Sequence, residues 1–286
     1  MLAYDRLMTM EFQDKVQAYG TKDTILYAAS VGLGADPLDR DQLKFVYEKN
    51  LCALPSMVHV LGMDGGWLSD PENGINLKLM LHGESGLRIY RPLPAAGSVT
   101  SRLKMLDIVD KGADKGALLL FKREVRETKS HEPIADVTGT FFLRGNGGFG
   151  GVSKSPPAPQ AIPERPADAS CEIKTSPQAA LLYRLNGDSN PLHADPDIAV
   201  AAGFPRPILH GSCAYAVACH AVIKMACSYE PVRLRRFDLR FSAPVFPGET
   251  IRTEMWAEDN GLFAFRCLAV ERCVVILNNG VAEVTT

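Results

Sequence analysis

Ser212-Cys-Ala-Tyr-Ala-Val-Ala-Cys-His-Ala-Val-Ile-Lys-Met-Ala-Cys227 is followed, four residues on, by Pro231-Val-Arg-Leu-Arg-Arg-Phe-Asp-Leu-Arg-Phe241. The first segment predicts a helix that is apolar nearly all round and rich in small residues. The second alternates Phe237, Leu239 and Phe241 with Arg236, Asp238 and Arg240, as a strand with one dry and one wet face does. A helix without a polar face must be enclosed, and a half-dry strand must be covered. A curved antiparallel sheet wrapped around the helix satisfies both.

Further strands are predicted on both sides of this segment. Downstream lie Thr250 to Ala257, Leu262 to Val270 and Cys273 to Ala282. Upstream lie Leu77 to Tyr90, Val99 to Val109, Ala117 to Val125 and Ile134 to Leu143. The two sets read as copies of one design. Ile25-Leu-Tyr27 resembles Leu181-Leu-Tyr183, Pro55 matches Pro207, and Pro92 with Gly97-Ser-Val99 matches Pro244 with Gly248-Glu-Thr-Ile251. The offset is 156 residues for the tyrosines and 152 for both prolines, as a duplication requires. The expected fold is therefore α+β: two tandem hot-dog repeats, each an antiparallel sheet around a central helix.

Between the copies, Gly145-Asn-Gly-Gly-Phe-Gly-Gly151 and Ser155-Pro-Pro-Ala-Pro-Gln-Ala-Ile-Pro-Glu-Arg-Pro166 suit neither a packed helix nor a central strand. This divides the chain into a first repeat at 1–147, a linker at 148–168 and a second repeat at 169–286. Gly145, Gly147 and Gly150 have the spacing of a dinucleotide loop, but prolines follow where a helix would have to begin.

Composition excludes several classes. With 286 residues, 46% of them hydrophobic, the chain can bury a large core; a net charge of −2 without a basic cluster leaves nothing to attract nucleic acid. The start lacks a signal-peptide pattern, and the apolar run around Ala214 to Ala226 is short and carries His220 and Lys224. Neither export nor membrane insertion is expected. Seven cysteines, mostly inside apolar segments, suit a reducing compartment. Cys213, Cys219, His220 and Cys227 could be read as metal ligands, but their spacing fits no paired motif.

The chemistry is concentrated just before the central helix, in Gly187-Asp-Ser-Asn-Pro-Leu-His193-Ala-Asp-Pro196 and Phe204-Pro-Arg-Pro-Ile-Leu-His-Gly211. Asp188 and His193 flank the turn-forming pair Asn190-Pro191, so one compact loop can bring carboxylate and imidazole to one point. The helix opening at Gly211 points unpaired backbone amides at any charge developing nearby. Adding water beside a carbonyl needs such parts: groups that move protons and a donor for the enolate oxygen. No metal or organic cofactor is needed. Read singly, Asp188 could simply form an Asx turn, and Asn190-Pro191 a bend. Asp188, His193, Asp195 and His210 could also ligate a metal, though without a recognised spacing. Ser189 and Ser212 lack the setting of a nucleophilic serine.

The stretch Tyr183-Arg-Leu-Asn-Gly-Asp-Ser-Asn-Pro-Leu-His193, with Gly203-Phe-Pro-Arg-Pro-Ile-Leu-His-Gly211, closely resembles the signature of the MaoC-like, type-2 enoyl-CoA hydratases. His82-Gly-Glu84 and Tyr90-Arg-Pro-Leu-Pro-Ala-Ala-Gly97 resemble the first-half strand of its fused eukaryotic-type members. The resemblance implies reversible hydration of trans-2-enoyl-CoA to (R)-3-hydroxyacyl-CoA. Asp188 and His193 match the catalytic pair, Asn190 its organising amide and Gly211 the oxyanion donor, leaving Asp195 and His210 structural roles. The first copy has Tyr27-Ala-Ala-Ser-Val-Gly-Leu-Gly-Ala-Asp-Pro37 where the motif should stand, so one site per chain is expected, with room for medium or long acyl chains. Arg184, Arg206, Arg233, Arg235 and Arg236 are the candidate cations for the phosphates of the CoA substrate. A homodimer is implied by resemblance. An intracellular location, peroxisomal or cytoplasmic, is expected, although Val284-Thr-Thr286 is no Ser-Lys-Leu type of address. A hot-dog thioesterase or a non-catalytic acyl-CoA binding protein would share the fold.

Overall fold

The computed structural model describes residues 2–150 and 158–285. Ten strands form one continuous sheet: β1 Lys15–Tyr19, β2 Met80–Ile89, β3 Gly97–Asp110, β4 Ala117–Glu127, β5 Pro133–Leu143, β6 Ala169–Lys174, β7 Leu234–Phe241, β8 Thr250–Ala257, β9 Leu262–Ala269 and β10 Val274–Val284. Their order is β1-β3-β4-β5-β2-β7-β10-β9-β8-β6, and every pairing is antiparallel. Read outward from the middle, each half repeats the same order, as duplication predicts. The join is the β2·β7 ladder, where Gly86 faces Asp238, its own counterpart at the 152-residue offset. A Cβ at Gly86 would stand 2.6 Å from Asp238 Oδ1 and 2.5 Å from Thr138 Oγ1, so a larger residue where the halves meet would have to displace both side chains.

Eight strands fall where patterning placed them. The first strand of each half, β1 and β6, was not foreseen: Val16 is exposed, so β1 carries no clean alternation, and β6 alternates Ala169, Cys171 and Ile173 with exposed residues over only six positions. Helices are α1 Tyr4–Thr9, α2 Thr21–Ser30, α3 Arg40–Val46, α4 Ala179–Tyr183, α5 Pro196–Ala201 and α6 Gly211–Cys227. The enclosed helix predicted from the opening segment is α6. Twelve of its 17 residues are buried, among them Tyr215, Val217, Val222 and Ile223, against a core shared with Phe237, Ile251, Phe265 and Ile276. None of these helices is long and apolar enough to cross a membrane.

The first half departs from its copy at the matching place. Instead of a long helix, Pro55–Val60 forms a short 3₁₀ segment, with further 3₁₀ turns at Gly66–Ser69 and Pro71–Asn73. The sequence there, Gly62-Met-Asp-Gly-Gly66, interrupts any helix. The carbonyls left without a helical successor are taken up by Arg123, a side chain only 5% exposed. Its guanidinium donates to Val58 O at 3.0 Å, to His59 O at 2.8 Å, and to Leu61 O.

The glycine loop with dinucleotide-like spacing cradles an internal anion instead. The Gly148 and Gly150 amides each donate to the Asp110 carboxylate at 2.8 Å, which holds that carboxyl below its usual range. Of the expected linker, 148–168, residues 151–157 lie outside the described residues; 158–168 run without helix or strand to β6.

Candidate active site

The second-half loop is built by local hydrogen bonds. After α4, a 3₁₀ turn at Arg184–Asn186 ends at Gly187, whose φ of 116° is a conformation other residues rarely adopt. Asp188 Oδ1 accepts from the Asn190 amide at 3.2 Å, and Asn190 Oδ1 accepts from the Leu192 amide at 3.0 Å, capping the 3₁₀ turn Pro191–His193. The Asx turn and the functional reading of Asp188 are thus compatible. One oxygen shapes the loop and the carboxylate still faces His193.

Three side chains converge: Asp188, His193 and His210 each place a ligand atom within 4.8 Å of the others. His193 donates from Nδ1 to the Ile208 carbonyl at 2.9 Å, which fixes its tautomer and leaves Nε2 as a lone-pair acceptor. Burial lowers its pKa, so the ring is neutral at neutral pH, even though the Asp188 carboxylate pulls the other way. The fully buried His210 stacks on it, ring centroids 3.8 Å apart, and donates from Nε2 to the Asp188 carbonyl at 3.1 Å. Burial, and then repulsion from His193, brings the His210 pKa down to about 4. His210 therefore ties the backbone of one member of the pair to the ring of the other, a structural role placed inside the site. Asp195 stands outside it, capping α5 through the Asp197 and Ile198 amides.

Gly211 opens α6 beside this cluster. A Cβ there would come within 3.3 Å of the Phe241 ring, so the backbone lies close under that wall. The helix start supplies amide N–H groups without helical acceptors. By ligand type, Asp188, His193 and His210 could also hold a divalent cation. Cys213, Cys219, His220 and Cys227 form no such group among the described residues. His220 donates to the Val31 carbonyl at 3.3 Å, and burial raises the three thiol pKa values.

The candidate arginines divide by position. Arg184 follows α4 and is near enough to His210 to add to its lowered pKa. Arg206 packs over Phe246 at 5.1 Å, on the loop leading to α6. Arg233 and Arg235 lie beyond the far end of α6, about 25 Å from Gly211 for a helix of 17 residues. Arg233 is bound to the Thr285 carbonyl, and Arg236 is paired with Asp238 at 2.5 Å beside the central join. Sequence proximity to the motif therefore does not place these three beside the Asp188–His193 cluster, because α6 intervenes.

Residues 159–275 match the MaoC like domain, and residues 17–145 match the MFE-2 hydratase 2 N-terminal domain. The chain belongs to the MaoC-like hydratase 2 family. Among similar proteins, the peroxisomal enoyl-CoA hydratase 2 of Arabidopsis thaliana is 40% identical over 270 residues, covering 89% of this chain and 87% of its own. A probable enoyl-CoA hydratase 2 of Dictyostelium discoideum is 39% identical, with 91% and 89% covered. The crystal structure of a MaoC-like dehydratase from Phytophthora capsici superposes with a TM-score of 0.87 at 35% identity, over 99% of this chain and 98% of that one. In MaoC-like terms, the two matched models meet this chain's two copies, and the cluster of Asp188, His193 and His210 lies in the second.

Proposed function

We propose that this chain catalyses the reversible hydration of trans-2-enoyl-CoA to (R)-3-hydroxyacyl-CoA in fatty-acid metabolism. The observation that carries the reading is His193, held neutral with Nε2 free, facing the Asp188 carboxylate beside the amide end of α6. A water held between Asp188 and Nε2 gives a proton to Nε2 as its oxygen bonds to the β-carbon. The π electrons move onto the thioester, where the Gly211 amide receives the enolate oxygen. The imidazolium, stabilised by Asp188, then returns its proton to the α-carbon. Atoms balance without an added cofactor. Arg184, close enough to His210 to influence it, and Arg206, on the loop leading to α6, are the candidates for binding the CoA phosphates. The R configuration, the homodimeric state and a peroxisomal or cytoplasmic location rest on family resemblance alone.

The test is loss of enoyl-thioester absorbance on adding decenoyl-CoA or crotonyl-CoA, with chiral analysis of the product. Conversion to the R-alcohol with preference for the longer ester is expected; release of free CoA thiol without hydration would indicate a thioesterase instead. The pH profile supplies a second check. Because burial lowers the His193 pKa, kcat/KM should stay level down through the ordinary imidazole value of about 6.5 and fall only below it, as protonation removes the base. An acid limb at or above neutrality would exclude His193 from that role.

A further inference from the structure

Strand β2 of the first half carries an irregularity that bears on the second half's chemistry. Along β2, Glu84 ion-pairs with Arg240 at 3.0 Å and Arg88 with Glu283 at 3.2 Å, both on the outer face of the sheet. Ser85, Leu87 and Ile89 face inward, buried, with Ser85 bonded to His59. Strict alternation would put His82 outside, with Glu84. It does not, because Gly83 is an extra residue: His82 pairs with Phe141 and Glu84 with Thr140, so the bulge moves His82 to the inner face. A Cβ at Gly83 would lie 3.2 Å from the Thr140 carbonyl, so glycine makes the close approach possible.

The displaced imidazole lies between Phe141, at 5.3 Å, and Phe241, at 4.7 Å. Phe241 is the ring that covers Gly211. The Asp188 carboxylate is close enough to influence the His82 ring, whose pKa burial brings down to about 4. His82 is thus neutral, and its Nε2 is buried without a hydrogen-bond partner. Buried polar atoms are nearly always partnered, so His82 Nε2, like His210 Nδ1 in the neighbouring cluster, is a point where a substrate atom or a water can arrive. The Gly211 amide alone gives the thioester oxygen one donor, whereas developing oxyanions commonly receive two.

We infer that His82 is the first repeat's contribution to the active site, its Nε2–H donating to the thioester oxygen opposite the Gly211 amide. This rests on the acyl-CoA reading above. The repeat that lacks the Asp-His pair would then still take part in the reaction.

The experiment compares wild type with His82→Phe, which keeps the ring packing, and His82→Gln, which restores a donor. Each is titrated with [1-¹³C]octanoyl-CoA, a saturated ester that cannot be hydrated, and the carbonyl resonance of the complex is read by NMR. A downfield shift on binding to wild type, lost in His82→Phe and regained in part by His82→Gln, is expected. In decenoyl-CoA hydration His82→Phe should lose about 10²-fold in kcat with little change in KM. An unchanged carbonyl shift in bound His82→Phe overturns the inference, whatever the turnover. Should His82→Phe not fold, a His82→Gln complex with the resonance of free ester overturns it equally. If wild type hydrates nothing but the shift behaves as expected, the hydratase reading fails and the His82 contact stands.

Discussion

Replacing His193 by alanine is expected to lower kcat for enoyl-CoA hydration by roughly 10²–10⁴-fold, the usual contribution of a positioned acid–base group. The ring's Nδ1 is committed to the Ile208 carbonyl, so Nε2, which faces Asp188, is the lone pair that His193 offers. His210 is the weaker alternative: its Nε2 is bound to the Asp188 carbonyl, and its unpartnered Nδ1 belongs to a ring whose pKa burial brings down to about 4. Asp188→Asn should lose activity over the same range, because the amide keeps the Asx turn but no longer stabilises an imidazolium. Steady-state rates on decenoyl-CoA, with acyl-CoA binding measured in parallel, decide the matter. Near-normal turnover with intact binding in either variant removes that residue from the mechanism; unfolding of the His193→Ala protein would reassign the loop to stability.

The largest stability effect is expected at a residue outside the Asp188–His193 cluster. Arg123→Met should destabilise the protein by about 3 kcal/mol, measured from urea midpoints. Three buried carbonyls, of Val58, His59 and Leu61, lose their donor together. Each orphaned group costs about 1–3 kcal/mol, offset in part by no longer burying a guanidinium. Burial already brings the Arg123 pKa down to about 10, a measure of that desolvation. Arg126→Met, which removes an exposed partner of Glu124, should change stability by no more than about 0.5 kcal/mol. Equal midpoints for the two variants would show that Arg123 does not hold the 3₁₀ segment.

Legibility followed periodicity. Eight strands and α6 were readable because burial on one face, or on all faces, leaves a regular trace in residue type. The motif from Gly187 to Gly211 was readable because Asp188, Asn190 and His193 act through a local turn, and a local turn is written in adjacent residues. Long-range placement was not legible. Arg233, Arg235 and Arg236 are near the motif in number, but the length of α6 carries Arg233 and Arg235 to its far end, and Arg236 is paired at the central join. His82 showed the opposite failure: it is more than a hundred residues from Asp188, and only the ladder between β2 and β7, together with one bulge, brings it near. The missing first-half helix was likewise obscured, since the residue that compensates for it, Arg123, lies two strands away in sequence.

The ladder joining β2 to β7 has a consequence for how such a chain can diverge. Two identical subunits that dimerise must both remain competent, because any change in one is made in the other. Once two copies share a single chain, the partner is always present at high effective concentration and the pairing no longer depends on how much protein the cell makes. Each copy can then specialise. On the proposed mechanism one copy carries the proton chemistry while the other, with a short 3₁₀ segment in place of the long helix, does not, a division of labour that a symmetric pair of identical chains cannot attain.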